Sequence, residues 1–368
     1  MNNLYVNEKF INQKWRRNKN YYHFNDDLIN YPEAWCYVVW SRRGPGKTYS
    51  ALRYAYEEKI PICYMKRTKE DVETVCGVRG GIDLSPYVPI NRDAHYNITS
   101  NLIYKGIGGF YDTYDDNGNI EGSPFSYVVA LNALKTVKGF DLSICDWMLL
   151  DEFIPQVGEI VRHKEGEMLL DMYMTISRDR LKRGRGDLKL ILFANAENIS
   201  TPITYELDIV DSMIDLQASG ETHLYLEDRG ILLHHITEDE IPILEEEKGG
   251  IYKAMANTAW GAKAFGGSFS NNDFSNVGKV NMKNYQPVVS WKYHGKYCYI
   301  YRREEMLYFT DSQNNVAELY DLDKENDQKR FYFEWVLDLR NECIENRCKF
   351  KQYTMYDLLM NYRQFFKL

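Results

Sequence analysis

Two short segments contain the residue types of a phosphate-binding site. Residues 41–48 (SRRGPGKT) follow a short apolar run, and residues 147–152 (WMLLDE) end in adjacent carboxylates. In a phosphate loop, glycines let backbone N–H groups turn toward the anion, a Lys reaches the β/γ-phosphates, and a Ser or Thr hydroxyl holds Mg²⁺. These requirements are met by Gly44, Gly46, Lys47 and Thr48. The first segment therefore predicts a nucleotide site that takes ATP and Mg²⁺.

The second segment supplies the acidic groups that such a site needs for hydrolysis. Asp151 ends an apolar run, where a carboxylate holds Mg²⁺ directly or through water. Glu152 follows it and is suited to polarise the attacking water as a general base. The alternatives are an ordinary Gly-Pro-Gly turn and a strand that ends in surface carboxylates. Two complementary segments in the expected order favour the nucleotide site, although Ser41 stands where the consensus has Gly.

Other polar residues give weaker signals. Asn195 follows the apolar run 190–194, where a polar side chain would touch the γ-phosphate or its water. The basic run 178–185 (RDRLKRGR) is either a solvated surface or contains an arginine finger that stabilises a transferring phosphoryl group. His234 and His235 show no metal-ligand spacing, and we expect them at the surface or at a strand end.

The elements that must position these residues alternate between strand-like and helical stretches. Residues 50–58 predict a helix directly after the loop. Short buried strands are predicted at residues 36–40, 61–65, 127–131, 147–150 and 190–194. This alternation predicts an α/β fold with a mostly parallel sheet covered on both faces.

The character of the chain changes after Pro202. Residues 257–284 are rich in Gly, Ser, Asn and Lys and predict an exposed loop. Residues 288–293, 296–301 and 306–310 predict a β-meander, and the chain from Lys329 onward is helical in character. We therefore expect two domains, 1–203 and 229–368, joined by a linker at 204–228.

Composition narrows the class of protein. The chain has 368 residues and a formal net charge of −8, which argues against non-specific coating of nucleic acid but permits a local basic groove. No apolar run approaches membrane-spanning length, and no signal peptide is evident, so we expect no membrane association. The seven scattered cysteines predict reduced thiols in a cytosolic compartment.

With these segments in place, the chain resembles the DNA packaging ATPases, or encapsidation proteins, of phi29-like small tailed bacteriophages. The resemblance covers roughly residues 35–205. It rests on five motifs and a predicted hairpin. In order along the chain they are RGPGKT at 43–48, YMKR at 64–67, the hairpin before Tyr127, LLDEF at 149–153, SRDR at 177–180 and FANA at 193–196.

The resemblance implies a P-loop ATPase domain of the ASCE type and a smaller α+β domain. The smaller domain would be ribonuclease-H-like, lack catalytic carboxylates and bind nucleic acid. Phosphate binding is implied for Arg43, Gly44, Gly46, Lys47 and Thr48, with Lys135 (or Lys138) as a further phosphate-sensing cation. Metal binding is implied for Thr48 and Asp151, and catalysis for Glu152 and Asn195. Arg178, with Arg180 as second choice, is implied as the finger that completes a neighbouring subunit's site.

The partners implied by the resemblance are double-stranded DNA, the viral portal and, in some members, a structural packaging RNA. The protein would form a homo-oligomeric ring, a pentamer, in the host cytoplasm and attach transiently to the procapsid. Its function would be ATP-driven movement of viral DNA into a preformed capsid. Two alternatives stay open, namely another ASCE ATPase such as a helicase or remodeller, and a nucleotide switch without hydrolysis. The placed Glu152 argues against the switch, because a protein that only binds nucleotide has no need of a water-activating carboxylate.

Overall fold

The computed structural model describes residues 20–79, 82–137, 139–156, 159, 161–245, 248–267, 269, 272–315 and 317–368. The chain divides into two compact units. The first comprises the described residues of Met1–Leu207 and Asp215–Asn271, and the second those of Asp208–Ile214 and Asn272–Leu368.

The first unit contains one large sheet and a separate pair of short strands. Its strands are β1 (Cys36–Ser41), β2 (Ile62–Lys66), β3 (Val78–Arg79), β4 (Ile82–Asp83), β5 (Thr99–Tyr104), β6 (Ile107–Tyr111), β7 (Ser126–Ala130), β8 (Trp147–Asp151), β9 (Lys189–Asn195), β10 (His223–Leu226) and β11 (Ile231–Ile236). Nine of them form one sheet in the order β10-β11-β1-β9-β8-β2-β7-β6-β5, and β3 pairs with β4. The strands from β11 to β7 run parallel, and the outer ones are antiparallel. The predicted α/β fold with a mostly parallel sheet is confirmed.

Helices connect the strands. They are α1 (Phe24–Asn30), α2 (Lys47–Glu57), α3 (Lys69–Val75), α4 (Val88–Ala94), α5 (Leu134–Val137), α6 (Glu165–Ser177), α7 (Pro202–Glu206), α8 (Val210–Ser219), α9 (Gly250–Met255) and α10 (Ala259–Gly266). Helix α8 begins in the segment that belongs to the second unit. The expectation of an exposed loop over residues 257–284 is wrong in part, because α10 occupies residues 259–266.

Several strands of this sheet are buried on both faces. Every residue of β1 is buried, and so is every residue of β6 and of β7. Strands covered on both faces appear as continuous apolar runs, which explains why the sequence pattern located β1, β2, β7, β8 and β9 to within one or two residues. The parallel strands β1 and β8 both lie beside β9, so the carboxyl ends of all three meet at one edge of the sheet. Ligands of open α/β sheets bind at that edge.

The second unit has its own five-stranded sheet. Its strands are β12 (Gln286–Tyr293), β13 (Lys296–Arg303), β14 (Met306–Thr310), β15 (Leu319–Asp321) and β16 (Cys348–Phe350), in the order β15-β12-β13-β14-β16. The antiparallel meander β12-β13-β14 is confirmed. His294 and Gly295 link β12 to β13 with φ angles of 47° and 77°, as a tight hairpin turn requires.

Helices pack on this second sheet. They are α11 (Glu325–Phe331), a π-helical turn (Tyr332–Val336), α12 (Leu337–Ile344), α13 (Tyr353–Met360) and α14 (Tyr362–Phe366). Trp291, Ile300 and Phe309 of the sheet lie in one buried cluster with Phe331 and Leu359 of the helices. The predicted helical character from residue 329 is confirmed apart from β16, which is only three residues long.

The predicted domain boundaries are wrong. Strands β10 and β11 lie in the first unit's sheet, where β11 pairs with β1 and β10 pairs with β11. A linker at 204–228 and a second domain from 229 would remove both strands from the sheet they complete. The first unit instead extends to Asn271, apart from the segment Asp208–Ile214.

The cysteines form no disulfide. All seven are buried as free thiols. Burial raises the pKa of the Cys36, Cys63, Cys145 and Cys298 thiols. In the part of the chain described above, no helix combines the length and apolar character needed to cross a membrane.

Candidate functional site

The loop between β1 and α2 has the backbone of a phosphate loop. Gly44 and Gly46 have φ angles of 98° and 89°, in the left-handed region that favours glycine. Gly46 directly precedes α2, so the loop ends at the N-terminus of an eleven-residue helix. Unpaired N–H groups and the helix dipole make such a terminus suited to an anion. The strand–loop–helix context that the motif requires is therefore present.

Lys47 is the central cation of this loop. Its Nζ donates hydrogen bonds to the Ser41 hydroxyl, to the Arg42 carbonyl oxygen at 3.3 Å and to Asn195 Oδ1 at 3.4 Å. Burial lowers the pKa of Lys47 to about 8, while the charge of Asp151 acts in the opposite direction. A buried ammonium whose hydrogen bonds, within the described part of the chain, go to neutral oxygens is poised to take an anionic partner.

The two carboxylates lie at the end of β8. The Tyr64 hydroxyl donates to Asp151 Oδ2 at 3.3 Å, and the Glu152 N–H donates to Asp151 Oδ1 at 3.1 Å. Glu152 Oε1 accepts from Gln156 Nε2 at 3.1 Å. The phenol of Tyr64 is itself buried, and burial raises its pKa well above the usual value. It therefore remains a hydrogen-bond donor to Asp151 at neutral pH.

These groups surround one cavity. It has a volume of about 280 Å³ and is lined by residues 43–49, Asp151, Glu152, Ala194 and Asn195. The structure thus brings together Arg43, Gly44, Gly46, Lys47, Thr48, Asp151, Glu152 and Asn195. Sequence reasoning missed Tyr49, which lines the cavity directly after the motif, and the Tyr64 hydroxyl, which only the pairing of β2 with β8 brings to Asp151.

Arg178 lies outside this cavity. Its side chain is 82% exposed, with Asp179 Oδ2 3.9 Å away as its ion-pair partner. It lines a second cavity of about 600 Å³ formed with residues of α6 and residues 140–143. Its assignment as a finger acting on a neighbouring subunit stays a prediction.

The second choice, Arg180, is wrong as a finger. Its side chain is only 2% exposed. The guanidinium donates to the Ser143 carbonyl at 2.9 Å, to the Gly186 carbonyl at 3.1 Å and to Asp146 Oδ1 at 2.6 Å. A buried guanidinium whose Nε, Nη1 and Nη2 all donate within its own subunit is not presented to a neighbour's phosphate. Arg180 instead fixes the turn after α6.

The predicted sensor lysine is outside the described side chains. Lys135 lies in α5, but its side-chain position is outside the described part of the structure, as is the whole of Lys138. The assignment of Lys135 or Lys138 as a phosphate-sensing cation therefore stays a prediction.

The expectation for the two histidines is wrong. His234 and His235 are buried in β11. His234 Nδ1 lies 2.8 Å from Asp27 Oδ2 and its Nε2 lies 3.0 Å from Glu240 Oε2, while His223 Nε2 lies 3.2 Å from Asp27 Oδ1. We call Asp27, His223, His234 and Glu240 the histidine cluster. It ties helix α1 to β10 and β11.

Comparison with known proteins shows which solved structures have a similar fold. No protein-family profile and no curated protein sequence matches the chain. The solved DNA packaging motor gp11 of phage Phi-28 matches with a TM-score of 0.58 and 17% identity, over 95% of this chain and 99% of that one. The viral genome packaging motor assembly of bacteriophage Phi-29 matches with a TM-score of 0.58 and 15% identity, over 94% and 99%. The chain shares the fold of these phage motor proteins.

A third solved structure is the N-terminal domain of the DNA packaging ATPase of bacteriophage phi29. It matches with a TM-score of 0.42 and 14% identity, over 59% of this chain and 96% of that one. At these identities the first two likenesses establish the fold alone.

Proposed function

We propose that this protein is the ATP-hydrolysing subunit of a motor that moves double-stranded viral DNA into a preformed capsid. One observation carries the proposal. Lys47, Thr48, Asp151 and Glu152 line a single cavity, in a chain whose fold is that of phage packaging motor proteins. These are the side chains that a nucleotide hydrolase of the P-loop class requires.

The residues around the cavity fit ATP and Mg²⁺. The glycine-rich turn, the N-terminus of α2 and the Lys47 ammonium provide donors and positive charge for a triphosphate. The Thr48 hydroxyl and the Asp151 carboxylate provide oxygen ligands of the kind Mg²⁺ prefers. When bound, Mg²⁺ supplies neutralisation of the charge that develops on the phosphates.

The protein's own side chains have distinct roles in the proposed hydrolysis. Lys47 exchanges its contacts with Ser41 and Asn195 for phosphate oxygens. Glu152 accepts the proton of the attacking water, and Asn195 orients that water or the γ-phosphate. The Tyr64 hydroxyl holds Asp151 by a hydrogen bond to Oδ2.

The motor proposal adds a neighbouring subunit. In a homo-oligomeric ring, taken here as a pentamer, the exposed Arg178 of one subunit completes the site of the next. Hydrolysis and product release then become events at a subunit interface, and a two-state change there moves a DNA-gripping surface. Grip through phosphate contacts is independent of base sequence, as packaging a whole genome demands.

The remaining parts of the proposal concern partners and place. The ring acts on the portal of a procapsid, with or without a packaging RNA, in the host cytoplasm. The second unit, proposed to be ribonuclease-H-like, contributes to nucleic-acid binding.

The test measures ATP hydrolysis by the full-length protein with and without long double-stranded DNA. Glu152→Gln is expected to lower the hydrolysis rate by about 10²- to 10⁴-fold, with little change in ATP affinity. Glu167→Gln, which removes an exposed carboxylate paired with Lys164, is the matched control and is expected to keep normal turnover. Normal turnover in the Glu152 variant would sink the catalytic assignment, and a rate unchanged by DNA would favour a nucleotide switch.

A further inference from the structure

Glu152 has an unusual backbone conformation. Its φ angle is 56°, in the left-handed region that a non-glycine residue adopts infrequently. Such a conformation persists only where the surroundings fix it. The conformation turns the chain sharply after β8, and the direction of the Glu152 side chain depends on that turn. Whatever holds the turn therefore also aims the carboxylate.

One side of the turn is held by the sheet itself. The Phe153 N–H donates to the Phe193 carbonyl of β9 at 3.0 Å. The Glu152 N–H donates to Asp151 Oδ1 at 3.1 Å. These bonds satisfy the two N–H groups and leave the two carbonyl oxygens of the turn to be held by another group.

Arg67 supplies that group. It follows β2, and its Nη2 donates to the Phe153 carbonyl oxygen at 3.0 Å and to the Glu152 carbonyl oxygen at 3.4 Å. The same guanidinium nitrogen thus contacts both free carbonyls of the turn. Arg67 does not itself line the nucleotide cavity.

Two carboxylates hold Arg67 in place. Its Nε lies 2.6 Å from Glu165 Oε1 and its Nη1 lies 2.9 Å from Glu159 Oε2. The Arg67 side chain is 13% exposed and that of Glu165 only 2%. Burial raises the pKa of Glu165, while the charge of Arg67 opposes that effect. The planar guanidinium has donors enough to bind both carboxylates and both carbonyls at once, whereas a lysine ammonium has three donors at one point.

We infer that Arg67 is a positioning residue for hydrolysis, which acts by holding the turn that aims the Glu152 carboxylate at the cavity. The inference rests on the proposed function, because it assigns Arg67 a role in the reaction that Glu152 performs. A displacement of about 1 Å in a reacting group costs as much as about 100-fold in rate. Loss of Arg67 should therefore affect turnover much more than nucleotide binding.

The experiment compares Arg67→Met and Arg67→Lys with the wild-type full-length protein. Arg67→Met is expected to lower kcat for ATP hydrolysis by about 100-fold, with KM and the affinity for a fluorescent ATP analogue within about threefold. Arg67→Lys keeps the charge beside Glu165 and so protects folding, yet it is expected to lose at least about 10-fold in kcat. Hydrogen exchange at the Phe153 amide is expected to accelerate in both variants, and this readout does not depend on catalysis.

The matched control is Arg347→Met in the second unit. Arg347 also binds two carboxylates, those of Glu342 and Glu345, so its loss breaks ion pairs within the second unit. Its kcat is expected to stay near the wild-type value at a temperature where both proteins are folded.

Measuring Glu152→Gln in the same assays distinguishes failure of the proposed function from failure of the inference about Arg67. If the wild type does not hydrolyse ATP, or if Glu152→Gln turns over normally, the proposed function fails. If Glu152→Gln is inactive while Arg67→Lys keeps full kcat and normal Phe153 exchange, the inference about Arg67 alone is overturned. Adding Arg67→Lys to Glu152→Gln is expected to cause no further loss of rate, and an additional loss would also contradict action through Glu152.

Discussion

The ammonium group of Lys47 lies 3.4 Å from the side-chain oxygen of Asn195. Lys47 begins α2, and Asn195 ends β9, the strand beside β1. The contact joins the phosphate loop to the neighbouring strand end across the cavity. Because Ser41 and the Arg42 carbonyl also accept from Lys47, an incoming phosphate must replace protein oxygens on this ammonium group.

Ser41→Ala should tighten ATP binding. Ser41 is fully buried, and its hydroxyl accepts a hydrogen bond from Lys47 that phosphate has to displace. Removing this competing acceptor favours the bound state, and we expect affinity to rise about 3- to 10-fold, since a typical hydrogen bond contributes a net of about 0.5–1.5 kcal/mol. Equilibrium titration with a fluorescent ATP analogue measures the effect. Ser50→Ala is the control, because that buried hydroxyl accepts from the Phe24 N–H and not from Lys47. Weaker binding in Ser41→Ala would mean that the hydroxyl holds Lys47 ready for phosphate.

Arg178→Ala should abolish hydrolysis without destabilising the fold. The side chain is 82% exposed, so its removal should change the free energy of unfolding by less than about 0.5 kcal/mol. Loss of a finger lowers turnover by about 10³-fold or more. Mixing Arg178→Ala with Glu152→Gln creates interfaces with one intact Glu152 and one intact Arg178, so partial activity should return. If the mixture stays inactive under conditions where rings assemble, the finger does not act between subunits.

Arg180→Met should behave in the opposite way. Its loss leaves the Ser143 and Gly186 carbonyls without this donor, while Asp146 keeps a hydrogen bond from Arg185. We expect a fall of about 1–3 kcal/mol in the free energy of unfolding, the cost of leaving a buried acceptor unsatisfied. Denaturant unfolding measures it, with Arg178→Ala as the paired control. When Arg180→Met is mixed with Glu152→Gln, the ATPase activity of the mixture should be no higher than expected from the amount of Arg180→Met that it contains. Unchanged stability would show that these hydrogen bonds contribute little.

The histidine cluster should make stability depend on pH. Burial alone would lower the pKa of His234, but its hydrogen bonds to Asp27 and Glu240 raise it to about 9. Burial would likewise raise the pKa of Asp27, yet hydrogen bonds from His223, His234 and Tyr22 lower it to about 2. A histidine with a raised pKa stabilises the fold fully below its unfolded value of about 6.5, and this contribution disappears as pH rises through 9.

The melting temperature of the nucleotide-free protein should therefore fall between pH 6.5 and pH 9. His234→Asn should melt lower at pH 6 and lose most of this pH dependence, whereas His163→Gln, which alters an exposed histidine, should keep it. Thermal melts across this range provide the measurement. An identical pH dependence in His234→Asn and the wild type would refute the assignment.

The phosphate loop and the adjacent carboxylates could be predicted from the sequence because both are local. The spacing of Gly44, Gly46, Lys47 and Thr48 is contained in five residues, and Asp151 and Glu152 end an apolar run. Strands covered on both faces can also be recognised in the sequence, because they form short apolar runs. Their order along the chain then implied that the carboxyl ends of β1, β8 and β9 would meet.

The errors arose where distant parts of the chain decide the environment. Arg180 lies in a run of charged residues, and two of its acceptors, Ser143 and Asp146, lie more than thirty residues earlier. His234 is polar by type, and its burial depends on partners that include Asp27, more than two hundred residues earlier. For the same reason β11 was assigned outside the first unit, since two histidines interrupt its apolar pattern. Arg67 belonged to a recognised motif, but its contact with the Glu152 turn depends on the pairing of β2 with β8.

The burial of all seven cysteines has a practical consequence for watching the proposed ring at work. Maleimides and similar reagents attack exposed thiolates, and the native thiols are all buried. A single new thiol such as Lys182→Cys, at a side chain that is 84% exposed, should react alone under native conditions. A dye or spin label there would report distances between neighbouring subunits during turnover, with every natural sulfur left in place.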